Sequence, residues 1–171
     1  MRSYTRKSIS PRCLLKVDIQ KAFDSLQWEF IEQMLLALNF PIPFVTRIMG
    51  CLTSSWFSLR VNRSVHGFFK GQSGLRQGDP LSPYIFVLSM EILSRYLRLI
   101  YTKSQISYHP KCSKLNLTHL IFADDLMLFL RGDVPSIAGA FNVLQQFASW
   151  SGLYANVSKT EAYFGGVDPV V

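Results

Sequence analysis

Asp124 and Asp125 stand side by side between two apolar runs, Leu117–Phe122 and Leu126–Leu130, and Asp18 closes another apolar run, Leu14–Val17. Adjacent carboxylates repel, and each charge drawn out of water costs several kcal/mol unless it is compensated. A divalent cation removes that cost, because Mg²⁺ takes hard oxygen ligands and leaves other positions to water or substrate phosphates. If the strand ending on Asp18 neighbours the hairpin that carries the pair, the acids face one point. Two ions there, about 3.5–4 Å apart, can clamp the attacking and leaving oxygens of a displacement. Aspartate is also an ordinary turn residue, so a solvated Asp-Asp turn is the plain alternative for the pair alone.

The elements that must position these acids follow from hydrophobic periodicity. Leu14–Asp18 reads as a short buried strand. The spacing of Leu26, Phe30, Ile31, Met34, Leu35 and Leu38 predicts a helix from about Ser25 to Leu38, with Asp24 as N-cap and Gln27 completing a capping box. Pro41 and Pro43 end it and start a shorter helix through about Leu52. Trp56–Val61 alternates as a strand and returns through Asn62-Arg63-Ser64 into Val65–Phe69. A glycine-rich loop, Gly71–Pro80, leads to Ser82-Pro83, an N-cap and N1 proline for a long helix. Its expected buried stripe is Ile85, Leu88, Ile92, Leu93, Tyr96 and Ile100. Ala123-Asp124-Asp125 joins its flanking strands tightly. Pro135 opens a helix carrying Ile137, Phe141, Leu144 and Phe147, which Gly152 stops, and Glu161–Phe164 forms a last strand. This order predicts an α+β fold, a two-layer sandwich of one antiparallel sheet with helices on one face.

The chain has 171 residues and is 49% hydrophobic, enough for one domain with a real core. No apolar run reaches the roughly 18 residues of a membrane span, so no membrane role is expected. Cys13, Cys51 and Cys112 form no CxxC pair, which fits a reducing compartment. Three Asn-x-Ser/Thr matches, at Asn62, Asn116 and Asn156, are attributed to chance without a secretory signal. The net charge is +7, and no acid occurs before Asp18, between Glu32 and Asp79, or between Glu91 and Asp124. Such a field suits a polyanion; a solvated basic surface explains the charge equally well. The first seventeen residues are rich in Arg and Ser, as in an organellar transit peptide, but they run straight into a core strand. They read instead as the end of an upstream region, which leaves the nucleus or cytoplasm as the expected location.

With these blocks in view the sequence resembles reverse transcriptases. Asp18-Ile19-Gln20-Lys21-Ala22-Phe23-Asp24 resembles motif A of that family (14–24), and Leu75-Arg76-Gln77-Gly78-Asp79-Pro80-Leu81-Ser82-Pro83 resembles motif B (74–88). Phe122-Ala123-Asp124-Asp125 resembles motif C (120–127), and Ser151-Gly152-Leu153 with Asn156 and Lys159 resembles motif D (151–160). The LINE-type, non-LTR retrotransposon branch fits best, plant elements most closely. The resemblance implies a polymerase palm over 14–165, a remnant of the fingers over 1–13 and a tail over 166–171.

It implies two Mg²⁺ ions, with Mn²⁺ as a substitute, held by Asp18, Asp124, Asp125 and the backbone carbonyl of Ile19. It places Phe23 as an aromatic gate that excludes a 2′-hydroxyl, and Gln77 with the Gly78 backbone against the incoming nucleotide. Arg76 is a candidate contact to phosphate or template, and Lys159 a candidate general acid for pyrophosphate, with a surface lysine as its alternative. The implied partners are an RNA template, a DNA primer and deoxynucleoside triphosphates. His109, Cys112 and His119 lack a fourth ligand for a zinc site. Two other expectations stand beside RNA-directed DNA synthesis. One is a truncated, inactive retroelement fragment of modest solubility that at most binds nucleic acid; the other, disfavoured by Phe23, is an RNA-dependent RNA polymerase palm.

Overall fold

In the computed structural model, residues 10–167 are described. The expectations for residues 1–9, and for the tail from 168 onward, lie outside them.

Strand β1 (Arg12–Asp18) forms because its alternate residues Cys13, Leu15 and Val17 are apolar and at most 2% exposed. It pairs antiparallel with β5 (Asp125–Arg131) in a register that sets Cys13 opposite Leu130, Leu15 opposite Leu128 and Val17 opposite Leu126. Two fully apolar rows thus share one face. With β4 (His119–Phe122) and β6 (Glu161–Gly165) the sheet order is β4-β5-β1-β6, antiparallel throughout. Helices α2 (Trp28–Ala37), α4 (Ser82–Thr102) and α5 (Val134–Ser151) bring the apolar residues that complete this core, among them Ile31, Leu35, Leu93, Leu97 and Phe147. Helix α3 (Ile42–Thr53) packs on α2. The expected two-layer α+β sandwich is what the chain forms.

Local readings needed correction where distant partners decide the backbone. The first helix divides into α1 (Ala22–Ser25) and α2, so Asp24 lies inside a turn of helix and caps nothing. The break at Leu26–Gln27 is held from outside, because the Leu26 carbonyl accepts from Gly74 N and Gln27 N donates to the Ser151 carbonyl. Ser82 does not cap α4; its hydroxyl is buried and finds no partner, while Asp79 Oδ1 accepts from Leu81 N. The buried face of α4 holds the expected Ile85, Leu93 and Ile100 together with Phe86, Ser89, Met90, Ser94, Leu97 and Tyr101, while the expected Leu88, Ile92 and Tyr96 lie at its margin. On α5 the expected Phe141 is 38% exposed, and Asp133 supplies the N-cap by accepting from Ser136 N. Gly152 stops α5 as expected, at φ +79.

Strands β2 (Trp56–Val61) and β3 (Ser64–Lys70) make a separate hairpin whose residues are all exposed. Its turn places Asn62 and Arg63 at φ 47 and 67, the left-handed pair a two-residue hairpin loop requires.

A candidate active site at the end of the sheet

Asp18 is the last residue of β1, and the strand register places it directly opposite Asp125, the first residue of β5. Asp124 occupies the two-residue turn between β4 and β5, where Ala123 takes φ 53 to turn the chain. The side chains of Asp18, Asp124 and Asp125 engage no hydrogen bond or ion pair among the described residues. Beyond Asp18, β1 is continued by the segment after α5. Asn156 N donates to the Asp18 carbonyl at 2.7 Å, Gln20 N donates to the Tyr154 carbonyl at 2.9 Å, and Ile19 bridges Ala155. Because successive peptide groups of a strand point to opposite sides, this pairing turns the Ile19 carbonyl towards β5 and the Asp124 turn.

The glycine-rich loop is tied to α1 and α2 by main chain. Leu75 N donates to the Phe23 carbonyl at 2.6 Å, Gly74 N to the Leu26 carbonyl at 2.8 Å, and Trp28 Nε1 to the Gly74 carbonyl at 2.8 Å. Gly74 has φ +85, and a Cβ there would stand 2.7 Å from the Asp24 carbonyl oxygen, so only glycine lets the two segments meet this closely. Phe23 is half-buried, its ring stacked on Phe86 with centroids 5.0 Å apart. Gly78 also has a positive φ, +89, with open space where a Cβ would stand.

One cavity of about 440 Å³ collects these parts. Asp18, Ile19, Lys21, Phe23, Asp24, Gln77, Asp124, Asn156 and Lys159 all line it. Asp125 does not, although it faces Asp18 across the strands. Arg76 is not brought there either: its Nε donates to Ser55 Oγ at 2.7 Å and it lines a different cavity. Lys159 is exposed at the end of a turn in which its N–H donates to the Asn156 carbonyl. The part of Asn156 and of the Tyr154–Asn156 pairing with β1 was not legible in the sequence, since nothing local marks 154–156 as strand. Lys21, at φ 46 ψ 45, turns the chain from β1 into α1, so that Phe23 lines the same cavity as Asp18.

The histidines have ordinary partners. His119 bridges Thr118 Oγ1 and Ser94 Oγ at 2.7 and 2.9 Å, and burial, with Arg98 nearby, holds its pKa below the usual value. His109 Nδ1 accepts from Lys111 N, and burial lowers its pKa as well.

Comparisons with known proteins bear on this arrangement. A family model described as reverse transcriptase (RNA-dependent DNA polymerase) matches residues 1–168. The chain is 34% identical over 116 residues to a retrovirus-related Pol polyprotein from the type-2 retrotransposable element R2DM of Drosophila melanogaster, covering 68% of this chain and 10% of that protein. It is 38% identical over 66 residues to an uncharacterized mitochondrial protein of Arabidopsis thaliana, covering 38% of this chain and 54% of that one. The solved structure of Candida tropicalis telomerase, in complex with a TWJ fragment of telomeric RNA, superposes with TM-score 0.70 at 11% identity. That match covers 92% of this chain and 26% of the telomerase chain, and it shows the fold alone. The chain spans about a tenth of the length of the retrotransposon relatives it matches.

Proposed function

We propose a function from one premise: this chain belongs to the reverse transcriptase family. Among its relatives are Pol proteins of non-LTR retrotransposons. The proposed activity is RNA-directed DNA synthesis, the transfer of a deoxynucleotide onto a primer 3′-hydroxyl. The observation that carries it is the single cavity into which four separate segments deliver Asp18, Phe23, Gln77, Asp124 and Lys159.

The family generally depends on a divalent metal, and the residues present fit one. The carboxylates of Asp18 and Asp124 line one cavity without a competing partner, and the Ile19 carbonyl is turned to the same edge. Among the described residues no three His, Cys, Asp or Glu side chains form a ready cage. That is the donor set Mg²⁺ uses when one or two carboxylates and substrate phosphates share it. Asp18 and Asp124, with Asp125 assisting, would hold two Mg²⁺ ions, which when bound polarise the attacking hydroxyl and neutralise charge on the leaving group.

The remaining residues act directly. Phe23, stacked on Phe86 and lining the cavity, would exclude a 2′-hydroxyl from the incoming sugar. Gln77 and the open main chain at Gly78 contact the incoming deoxynucleoside triphosphate. Lys159 donates a proton to the departing pyrophosphate, a contribution of about 10²–10⁴-fold for this class of catalysis. Primer extension on an RNA template with Mg²⁺ tests the assignment, and undiminished incorporation by Asp124→Asn would sink it. Incorporation of ribonucleotides above deoxynucleotides would point to an RNA polymerase palm.

A second reading, nucleic-acid binding without incorporation, draws on the uncovered apolar surface. Phe122 at the catalytic hairpin is 84% exposed and Phe68 on β3 is 73% exposed. Salt-sensitive binding with no incorporation would mark it. No described helix is long and apolar enough to cross a membrane, and a nuclear or cytoplasmic location remains part of the proposal.

A further inference from the structure

A second cavity, of about 730 Å³, adjoins the catalytic one, and Asp24 and Gln77 line both. Its other walls are aromatic. Phe57 and Phe69 come from the hairpin β2–β3, and Trp28 comes from the start of α2. The rings are fixed in place: Trp28 is anchored through Nε1 to the Gly74 carbonyl, and Phe57 stacks on Phe69 with centroids 6.0 Å apart. Gly71 lets main chain pass between them, since a Cβ there would stand 2.9 Å from the Phe57 ring and 3.4 Å from Trp28. Phe57 and Phe69 nonetheless remain 43% and 47% exposed. Ring faces are therefore available on the cavity side.

The electrostatics narrow the occupant. Residues 33–78 contain no acid and include Arg47, Arg60, Arg63, Lys70 and Arg76. Lys70 and Arg76 line the cavity. Arg76 is oriented by its Nε bond to Ser55, and its two terminal nitrogens engage no partner among the described residues. Asp24 is the one carboxylate in the lining, so an apolar protein segment laid on these rings would draw two cations from water against a single counter-charge, which is costly. A nucleotide brings its own phosphate, and its base stacks on an aromatic ring whatever its identity. The volume also falls in the range of about 300–1,000 Å³ typical of sites for small ligands.

We propose that this cavity holds one unstacked base of a single-stranded nucleic acid, with the adjoining phosphate on Arg76 and Lys70, where the strand passes the wall shared with the catalytic cavity. The choice of partner rests on the polymerase reading; the position rests on the rings and cations alone. Arg76 therefore serves the strand and not the incoming nucleotide.

The test is the affinity of the full chain for a labelled oligouridylate without divalent metal, by fluorescence anisotropy across a salt series. Phe57→Ala with Phe69→Ala should weaken binding about 5- to 150-fold, the loss of one stacked base at about 1–3 kcal/mol. Phe57→Tyr with Phe69→Tyr keeps the rings and should bind as the unaltered chain does. Arg76→Gln should lessen the slope of log K against log salt by about 0.7, the value of one single-strand phosphate contact. Binding by the double alanine variant within twofold of the unaltered chain overturns the proposal, and so does an equal loss in the double tyrosine variant. Asp124→Asn separates the two readings, since it should bind within threefold of the unaltered chain and yet incorporate nothing. If it incorporates, the polymerase reading fails while the cavity assignment still stands or falls on the ring variants.

Discussion

Replacing Gly74 by alanine should separate the two segments that carry Phe23 and Gln77. Gly74 holds φ +85, a conformation that costs an L-residue about 1–2 kcal/mol. The new Cβ would also stand 2.7 Å from the Asp24 carbonyl oxygen and 3.0 Å from two further backbone atoms of Asp24, none of which can swing aside as a side chain does. The loop must lift, and lifting stretches the bonds from Gly74 N to Leu26 and from Leu75 N to Phe23, each worth about 0.5–1.5 kcal/mol. Together these terms predict a loss of about 2–5 kcal/mol, or about 4–20 °C in Tm for a chain of this size. Calorimetry and urea unfolding read it as a lowered Tm and a lowered midpoint with unchanged m. Gly50→Ala is the matched control. Gly50 lies within α3 with nothing near its Cβ position, so alanine there should be neutral or stabilising by about 0.5–1 kcal/mol. In a complete polymerase context Gly74→Ala should also raise KM for the incoming nucleotide, because Gln77 shifts with the loop. A Gly74→Ala chain that melts within about 1 °C of the unaltered protein, against the roughly 4–20 °C expected, would refute the coupling.

Three further perturbations report on separate parts. Phe23→Val should raise ribonucleotide incorporation relative to deoxynucleotide incorporation by about tenfold or more, about 1.4 kcal/mol of discrimination, in competition primer extension; an unchanged ratio removes Phe23 from the gate. Lys159→Ala should slow single-turnover incorporation by about 10²-fold with little change in primer–template affinity; an unchanged rate returns Lys159 to the surface. Burial holds His119, and to the same sign His109, below the ordinary pKa of 6.5, so the folded chain binds fewer protons than the unfolded one as pH falls. Stability contributed by neutral His119 is therefore complete above pH 6.5 and declines below it, a decline that His119→Gln should reduce in a Tm series against pH.

The acidic end of the sheet was legible because its strands are predominantly apolar and abut acids. Leu14, Leu15 and Val17, around Lys16, and the run Leu126–Leu130 suit strands with one face in the core, and a turn short enough for Ala123-Asp124 leaves the carboxylates at the tip. Misread elements were those whose backbone is decided at a distance. Asp24 and Gln27 carry the local signature of a capping box, yet Gly74 and Ser151 take the neighbouring main-chain groups and break the helix there. Counting apolar residues likewise displaced the stripe on α4, because Ser89 and Ser94 lie in its buried face. They satisfy themselves on the Ile85 carbonyl and on His119. Arg76 adjoins Gln77 in sequence, but Ser55 draws its guanidinium towards the second cavity, and of the two only Gln77 lines both. The role of Asn156 depends on pairing with β1, which no residue pattern around it announces.

The central claim is that the carboxylates of Asp18 and Asp124 make this cavity a nucleotidyl-transfer site. It is tested most directly by primer extension on an RNA template, comparing the unaltered palm with Asp124→Asn, both carried in a polypeptide that includes the flanking regions of a retrotransposon relative. The account predicts Mg²⁺-dependent addition of deoxynucleotides by the first and a loss of at least about 10³-fold in the second, with template binding retained. Equal incorporation by the two proteins would contradict it.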